Sequence, residues 1–253
     1  MNQMPEVPPQ GFCFDPNNHK DHEPNGCEPP RRRFLQLAAG GAFAGWIGTA
    51  ASQLSFPEPV FAQSTLTPDA ALAELMSGNG RFVNRNITSD AQDLTILKQN
   101  NAEKQEPFAA VLSCADSRVP VELIFDQTIG HIFVTRVAGN VATSEIIASL
   151  EYGAAVLGTK VILVMGHAGC GAVKATIQGA EVPGQISALY PHIQPAVDQA
   201  GSNLEAATKA NAKIQAALLA ESSTVIKGLV KEGKLKVAAG YYDIVAGSVT
   251  LLS

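Results

Sequence analysis

The chain has 253 residues, of which 46% are apolar and 16% charged, a globular balance that excludes a disordered, collagenous or heavily charged protein. A formal net charge of −5 speaks against a general nucleic-acid-binding surface. Four cysteines are too few to build a disulfide scaffold of this length.

Residues 1–30 are polar and rich in proline. Arg31-Arg32-Arg33-Phe34-Leu35-Gln36 follows, then an uncharged stretch from Phe34 to Ala51 rich in glycine and alanine, and Val60-Phe61-Ala62 before Gln63. A paired-arginine segment, a mildly apolar core and a small-residue cleavage site resemble a twin-arginine export signal. Residues 1–62 are therefore expected to be removed. The protein is then expected in a periplasm or another extracytoplasmic compartment, meeting a membrane only during export. The uncharged stretch is long enough to serve as a retained anchor, but glycine and alanine insert poorly beside leucine. Cys13, His19, His22 and Cys27 are soft ligands close together, but their spacing matches no zinc motif, and they would leave with the signal.

Residues 63–253 read as one domain, able to bury about 70% of its unfolded surface. Thr67 caps a helix with Pro68 at its first position, and Ala71, Leu72, Leu75 and Met76 give it an apolar face. Gly78 and Gly80 are expected to break or bend it before Arg81. Phe108–Ser113, Ile132–Arg136 and Val161–Met165 are short apolar runs that read as buried strands. Thr143–Leu157 has helical spacing. Asn203–Val230 reads as mostly helical, with Leu204, Ile214, Leu218, Ile226 and Leu229 apolar. Leu235–Tyr241 and Ile244–Leu252 close the chain as strands, paired as a hairpin around Tyr242-Asp243. Strands alternating with helices predict an α/β fold, a mainly parallel sheet flanked by helices.

Two clusters follow predicted strands directly. One is Cys114-Ala115-Asp116-Ser117-Arg118; the other is His167-Ala168-Gly169-Cys170-Gly171. The carboxyl ends of parallel strands are where such sheets gather functional groups, and a crossover can set two such ends side by side. Cys114, His167 and Cys170 offer two thiolates and an imidazole, a set suited to tetrahedral zinc with one position left open. Gly166, Gly169 and Gly171 would let that backbone come close to the ion. If extended pitch continues past Cys114, Asp116 and Arg118 share its side and can form a bidentate pair. Asp116 would then either orient water in the open position or fill that position itself. A core cysteine, a structural histidine or a disulfide would explain either cluster alone, but not both at matched strand ends.

Cys114-x-Asp116-x-Arg118 paired with His167-x-x-Cys170 closely resembles the motifs of β-class carbonic anhydrases, and the resemblance runs from about Asp69 to the C-terminus. It implies a zinc enzyme, with one Zn2+ per chain, that interconverts carbon dioxide and bicarbonate. The zinc ligands would be Cys114, His167 and Cys170, and the catalytic dyad Asp116 and Arg118. The resemblance further implies a substrate pocket of Gln105, Phe133, Tyr152 and the Gly171 N–H, part of it given by a neighbouring subunit, hence a homodimer or higher homo-oligomer. Members with an inhibitory bicarbonate site have tryptophan three residues before the first cysteine. Here that residue is Val111, although Arg136 matches that site's arginine. The rival readings are a carbonyl sulfide or carbon disulfide hydrolase on the same scaffold, and a non-catalytic zinc-binding protein. Nothing in the sequence places the candidate proton shuttles, His131 and His192.

Overall fold

The computed structural model describes residues 64–89 and 105–253; the expected export signal, the expected cleavage site and the Cys13–Cys27 group lie outside them. A five-stranded sheet runs in the order β2-β1-β3-β4-β5, formed by β1 (Ala109–Ser113), β2 (Ile132–Arg136), β3 (Val161–His167), β4 (Lys236–Tyr242) and β5 (Val249–Leu252). All neighbours are parallel except β4 and β5. β1 and β3 are buried along their whole length, as inner strands covered on both faces must be, and so they read as unbroken apolar runs.

Helix α1 (Pro68–Val83) is capped by the Thr67 side chain, which accepts from the Ala70 amide. Contrary to the sequence expectation it passes through Gly78 and Gly80 without a break. The reason is packing. A Cβ on Gly78 would sit 1.8 Å from the Phe125 carbonyl oxygen, so the glycine is what lets the helix lie against the chain after α2 (Val121–Ile124). Burial of Ala71, Leu72 and Leu75 offsets the cost of glycine in a helix, about 1 kcal/mol each. Asn79, on the same helix, donates to Ile124 O at 3.1 Å and Gly247 O at 2.9 Å and accepts from the Val249 amide at 2.8 Å. It thereby ties α1 to the β4–β5 hairpin.

Helix α3 (Ser144–Ala155) crosses from β2 to β3. Four helices lie between β3 and β4: α4 (Gly171–Gln178), α5 (Tyr190–Ala200), α6 (Leu204–Ser222) and α7 (Thr224–Lys231). The mostly helical stretch expected over 203–230 is two helices, because Ser223 leaves the helical region and caps α7, accepting from the Ile226 amide at 3.0 Å. One sheet face packs Val111, Leu163 and Met165 against Leu72, Leu75 and Phe125. The other packs Leu112, Ile162 and Val164 against Leu150, Ala212 and Leu219. Among the described residues no helix is long and apolar enough to cross a membrane.

Asp126 anchors the end of α1. Its side chain is fully buried and accepts from the Thr88 and Ser89 amides at 2.8 and 3.0 Å, from Thr88 Oγ1, and from Arg81 Nε. Burial alone would raise its pKa, but Arg81 and these donors bring it down to about 2. The folded value lies below the ordinary carboxylate value, so the stabilisation is fully present above pH 4 and is lost as pH falls from 4 toward 2. Asp126→Asn is expected to lower stability by about 2 kcal/mol at pH 7 and by much less near pH 2, read from urea midpoints at the two pH values.

Candidate metal centre

The parallel register brings the two strand ends together. Ser113 is level with Met165, so Cys114, one residue past β1, comes level with the end of β3 where His167 lies. The turn after His167 reverses the chain at Gly169, whose φ of +66° favours glycine, and delivers Cys170 to the N-cap of α4. The three potential ligand atoms of Cys114, His167 and Cys170 lie within 4.8 Å of one another, and all three residues are buried. Gly166 serves a different purpose from the one expected: its missing Cβ would be 3.0 Å from Thr208 Cγ2 and 3.1 Å from Thr208 O, so it admits α6 rather than a metal.

His167 presents one ring nitrogen to the centre. Its Nδ1 lies 3.0 Å from the Ala168 carbonyl oxygen, which can only accept, so Nδ1 donates there. Nε2 is buried with no hydrogen-bond partner among the described residues. An unpartnered buried ring nitrogen beside two sulfurs is costly in a protein interior and is satisfied by a cation. The thiols agree. A hydrogen bond from Cys170, working against burial and helped by His167 and the Gly139 amide, brings the Cys114 pKa down to about 4. Cys170 is pushed upward by its bond to that thiolate and by burial, against the pull of the Ala172 and Val173 amides. Two thiols this close present both sulfurs to one place, where a divalent ion would bind. The donor set, its spacing and the unpartnered Nε2 all fit zinc.

Asp116 and Arg118 form the expected bidentate pair, Nε to Oδ1 at 2.9 Å and Nη2 to Oδ2 at 2.7 Å, and the Arg118 amide also donates to Oδ1 at 2.9 Å. These bonds hold the Asp116 carboxyl far below the usual carboxylate range. Asp116 Oδ2 is 3.9 Å from His167 Nε2, so the carboxylate borders the centre. Arg136 donates through Nε to Cys114 O at 3.0 Å and through Nη2 to Asp116 O, clamping the backbone that presents both residues.

The other expected site residues divide. Gly171 opens α4 next to Cys170. Gln105 is exposed and precedes β1, at the end of the strand opposite Cys114. Phe133 pairs in register with Ala110, four residues and roughly 13 Å of strand short of Cys114. Its ring packs on Gly153 and lies 6.3 Å from the ring of the exposed Tyr152. Within one chain, then, these three do not meet the metal centre. His131 is exposed just before β2, also at the far end, and so does not act as a shuttle within its own chain.

Residues 109–249 match the carbonic anhydrase family. The chain belongs to that family. Among its carbonic anhydrase relatives, carbonic anhydrase 2 of Mycobacterium tuberculosis is 32% identical over 192 residues, covering 73% of this chain and 92% of that protein. The carbonic anhydrase of Mycolicibacterium smegmatis is 38% identical over 134 residues, covering 51% of this chain and 65% of its own length. The fold is that of the β class. One chain from the crystal structures of two tetrameric β-carbonic anhydrases of Sordaria macrospora gives a TM-score of 0.58 at 21% identity, covering 72% of this chain and 96% of its own. A Coccomyxa β-carbonic anhydrase, in complex with acetazolamide, gives 0.55 at 25% identity over 72% of this chain and 86% of its own. In this carbonic anhydrase the sequence reading missed Gly139, whose amide donates to Cys114 Sγ at 3.4 Å, and the backbone clamp made by Arg136. Neither follows a periodic pattern: the amide comes from the turn after β2, the clamp from the last residue of β2 itself.

Proposed function

We propose that the protein is a zinc enzyme that interconverts carbon dioxide and bicarbonate, with a proton released or taken up. The observation that carries this is the unpartnered Nε2 of buried His167 beside two cysteine sulfurs, with the Asp116–Arg118 pair at the edge of the same centre. Cys114, His167 and Cys170 hold one Zn2+ per chain. When bound, zinc supplies a Lewis acid that makes water a nucleophile near neutral pH. Asp116 accepts a hydrogen bond from the attacking water and orients it, and Arg118 fixes Asp116. Gln105 and the Gly171 N–H donate to the substrate oxygen that gains charge. Phe133 and Tyr152 wall an apolar pocket for an apolar substrate.

Gln105, Phe133 and Tyr152 lie away from their own chain's metal centre, which supports a homodimer or larger homo-oligomer in which a second copy supplies them. The tetrameric β-carbonic anhydrases of the same fold are in keeping with this. The deciding experiment is stopped-flow carbon dioxide hydration on the zinc-loaded protein, with metal analysis. Background rates at full zinc occupancy would reject an enzyme of this kind in favour of a non-catalytic zinc protein. Faster turnover of carbonyl sulfide than of carbon dioxide would reassign the substrate.

Export belongs to the same reading. Arg31-Arg32-Arg33-Phe34-Leu35-Gln36 resembles a signal for carrying folded proteins. A thiol pair this close is safest when metal-loaded before it meets an oxidising compartment. Changing Arg31 and Arg32 together to lysine is expected to strand the precursor in the cytoplasm, as read by fractionation and immunoblot. Unchanged export would show that the signal is of another kind.

A further inference from the structure

Helix α6 buries polar side chains alongside Ala207, Ala212, Ala216 and Leu219. Leu218 is exposed, while Thr208, Asn211 and Gln215 are each no more than 1% exposed. Two of these polar side chains point at a single feature, the turn from 138 to 142 that follows β2. Asn211 Nδ2 donates to Gly139 O at 2.8 Å, and Gln215 Oε1 accepts from the Ala142 amide at 2.8 Å. Gln215 Nε2 reaches back to Asn211 Oδ1 at 3.3 Å and to His192 O at 3.0 Å, which braces both side chains against α5.

The turn matters because of what it presents. The Gly139 amide donates to Cys114 Sγ. Gly139 holds φ +74°, and a Cβ there would be 2.8 Å from Ile193 Cδ1, so the position is closed to other residues. Glycine is also the residue least able to hold a conformation by itself. The near end of the turn is pinned by backbone bonds, Val137 N to Ser113 O at 3.1 Å and Asn140 N to Val137 O at 2.9 Å. The Gly139 carbonyl and the Ala142 amide find their partners on α6.

We propose that Asn211 and Gln215 are positioning residues for the metal centre: they lock the turn so that the Gly139 amide stays aimed at the Cys114 sulfur. The proposal rests on Cys114 being a metal ligand. An N–H donated to a thiolate withdraws electron density from it. Without the lock, the amide drifts from the sulfur, which becomes a stronger electron donor and is less well positioned for a metal.

The test uses the full protein loaded with cobalt(II), whose thiolate-to-metal charge-transfer band reports directly on the sulfur, together with metal affinity from chelator competition. Asn211→Leu removes the donor to Gly139 O. Gln215→Met removes the acceptor for Ala142 and serves if the first variant does not fold. Thr208→Val is the control: it lies on the same buried face, and its hydroxyl bonds only within α6, to Leu204 O at 2.8 Å. The expected result is a shift of the band to lower energy and about 10-fold weaker metal binding in the Asn211 or Gln215 variant, with Thr208→Val unchanged. A wild-type band in both folded variants, or an equal shift in Thr208→Val, would overturn the positioning role. A wild-type protein that binds cobalt with no thiolate band would instead overturn the ligand assignment itself.

Discussion

Cys114→Ala, Cys170→Ala and His167→Ala are each expected to purify without zinc and to hydrate carbon dioxide no faster than buffer. The ligand atoms sit within 4.8 Å of one another in buried positions, and among the described residues no further cysteine or histidine stands with them. Asp116 is committed to Arg118 through two side-chain bonds and a backbone amide. Loss of one ligand leaves two donors, too few for a tetrahedral site. In the two cysteine variants it also strands His167 Nε2 beside a single sulfur. Metal analysis should fall from about one zinc per wild-type chain to near none. Added zinc should raise the wild-type melting temperature and leave the variants unmoved, since only a folded state that binds the ion gains from it. Full zinc occupancy with full activity in any of the three would sink the ligand assignment.

Arg118→Ala is expected to keep its zinc and lose about 100-fold in activity, the scale seen when a residue that orients a metal site is removed. Asp116 would lose both side-chain bonds and keep only the amide of residue 118. Its Oδ2 already stands 3.9 Å from His167 Nε2, so a small rotation turns a held carboxylate into a fourth ligand that fills the open position. In the wild type the Arg118 pair holds the Asp116 carboxyl far below its ordinary range. The depressed value means the carboxylate stays charged and paired as pH falls through the ordinary carboxylate range, so acid should not release it there. Activity of the wild type should therefore follow a single ionisation rather than a steep cooperative curve. A crystal structure of the zinc-loaded variant should show an Asp116 carboxylate oxygen bonded to zinc in place of water. Wild-type turnover in Arg118→Ala would overturn this role.

Much of the architecture was readable because it obeys local rules. β1 and β3 appear in the sequence as apolar runs, since inner strands of a parallel sheet meet side chains on both faces, and the edge strand β2 is only partly buried. Thr67-Pro68 starts α1 by capping chemistry that needs only neighbouring residues. Other elements resisted for equally physical reasons. α5 contains Pro195 within the helix, a residue that signals a break. α4 begins in the glycine-rich metal turn. α1 continues through Gly78 only because Phe125 backbone occupies the space a side chain would need, and α6 buries the Asn211 and Gln215 amides alongside Ala207, Ala212, Ala216 and Leu219.

The candidate centre divides in the same way. Residue chemistry alone determined which groups could bind zinc and which could pair: two cysteines, a histidine, an aspartate and an arginine at fixed short spacings. Those choices depend on pKa, softness and hydrogen-bonding capacity, which each side chain brings with it. The tertiary structure decided whether they meet. The register that sets Ser113 level with Met165 joins clusters some fifty residues apart, the turn at Gly139 supplies an amide to the sulfur, and Gln105, Phe133 and Tyr152 are left at the other end of their own chain. Convergence of that kind is a property of strand pairing and packing across long sequence separations, which no local pattern encodes.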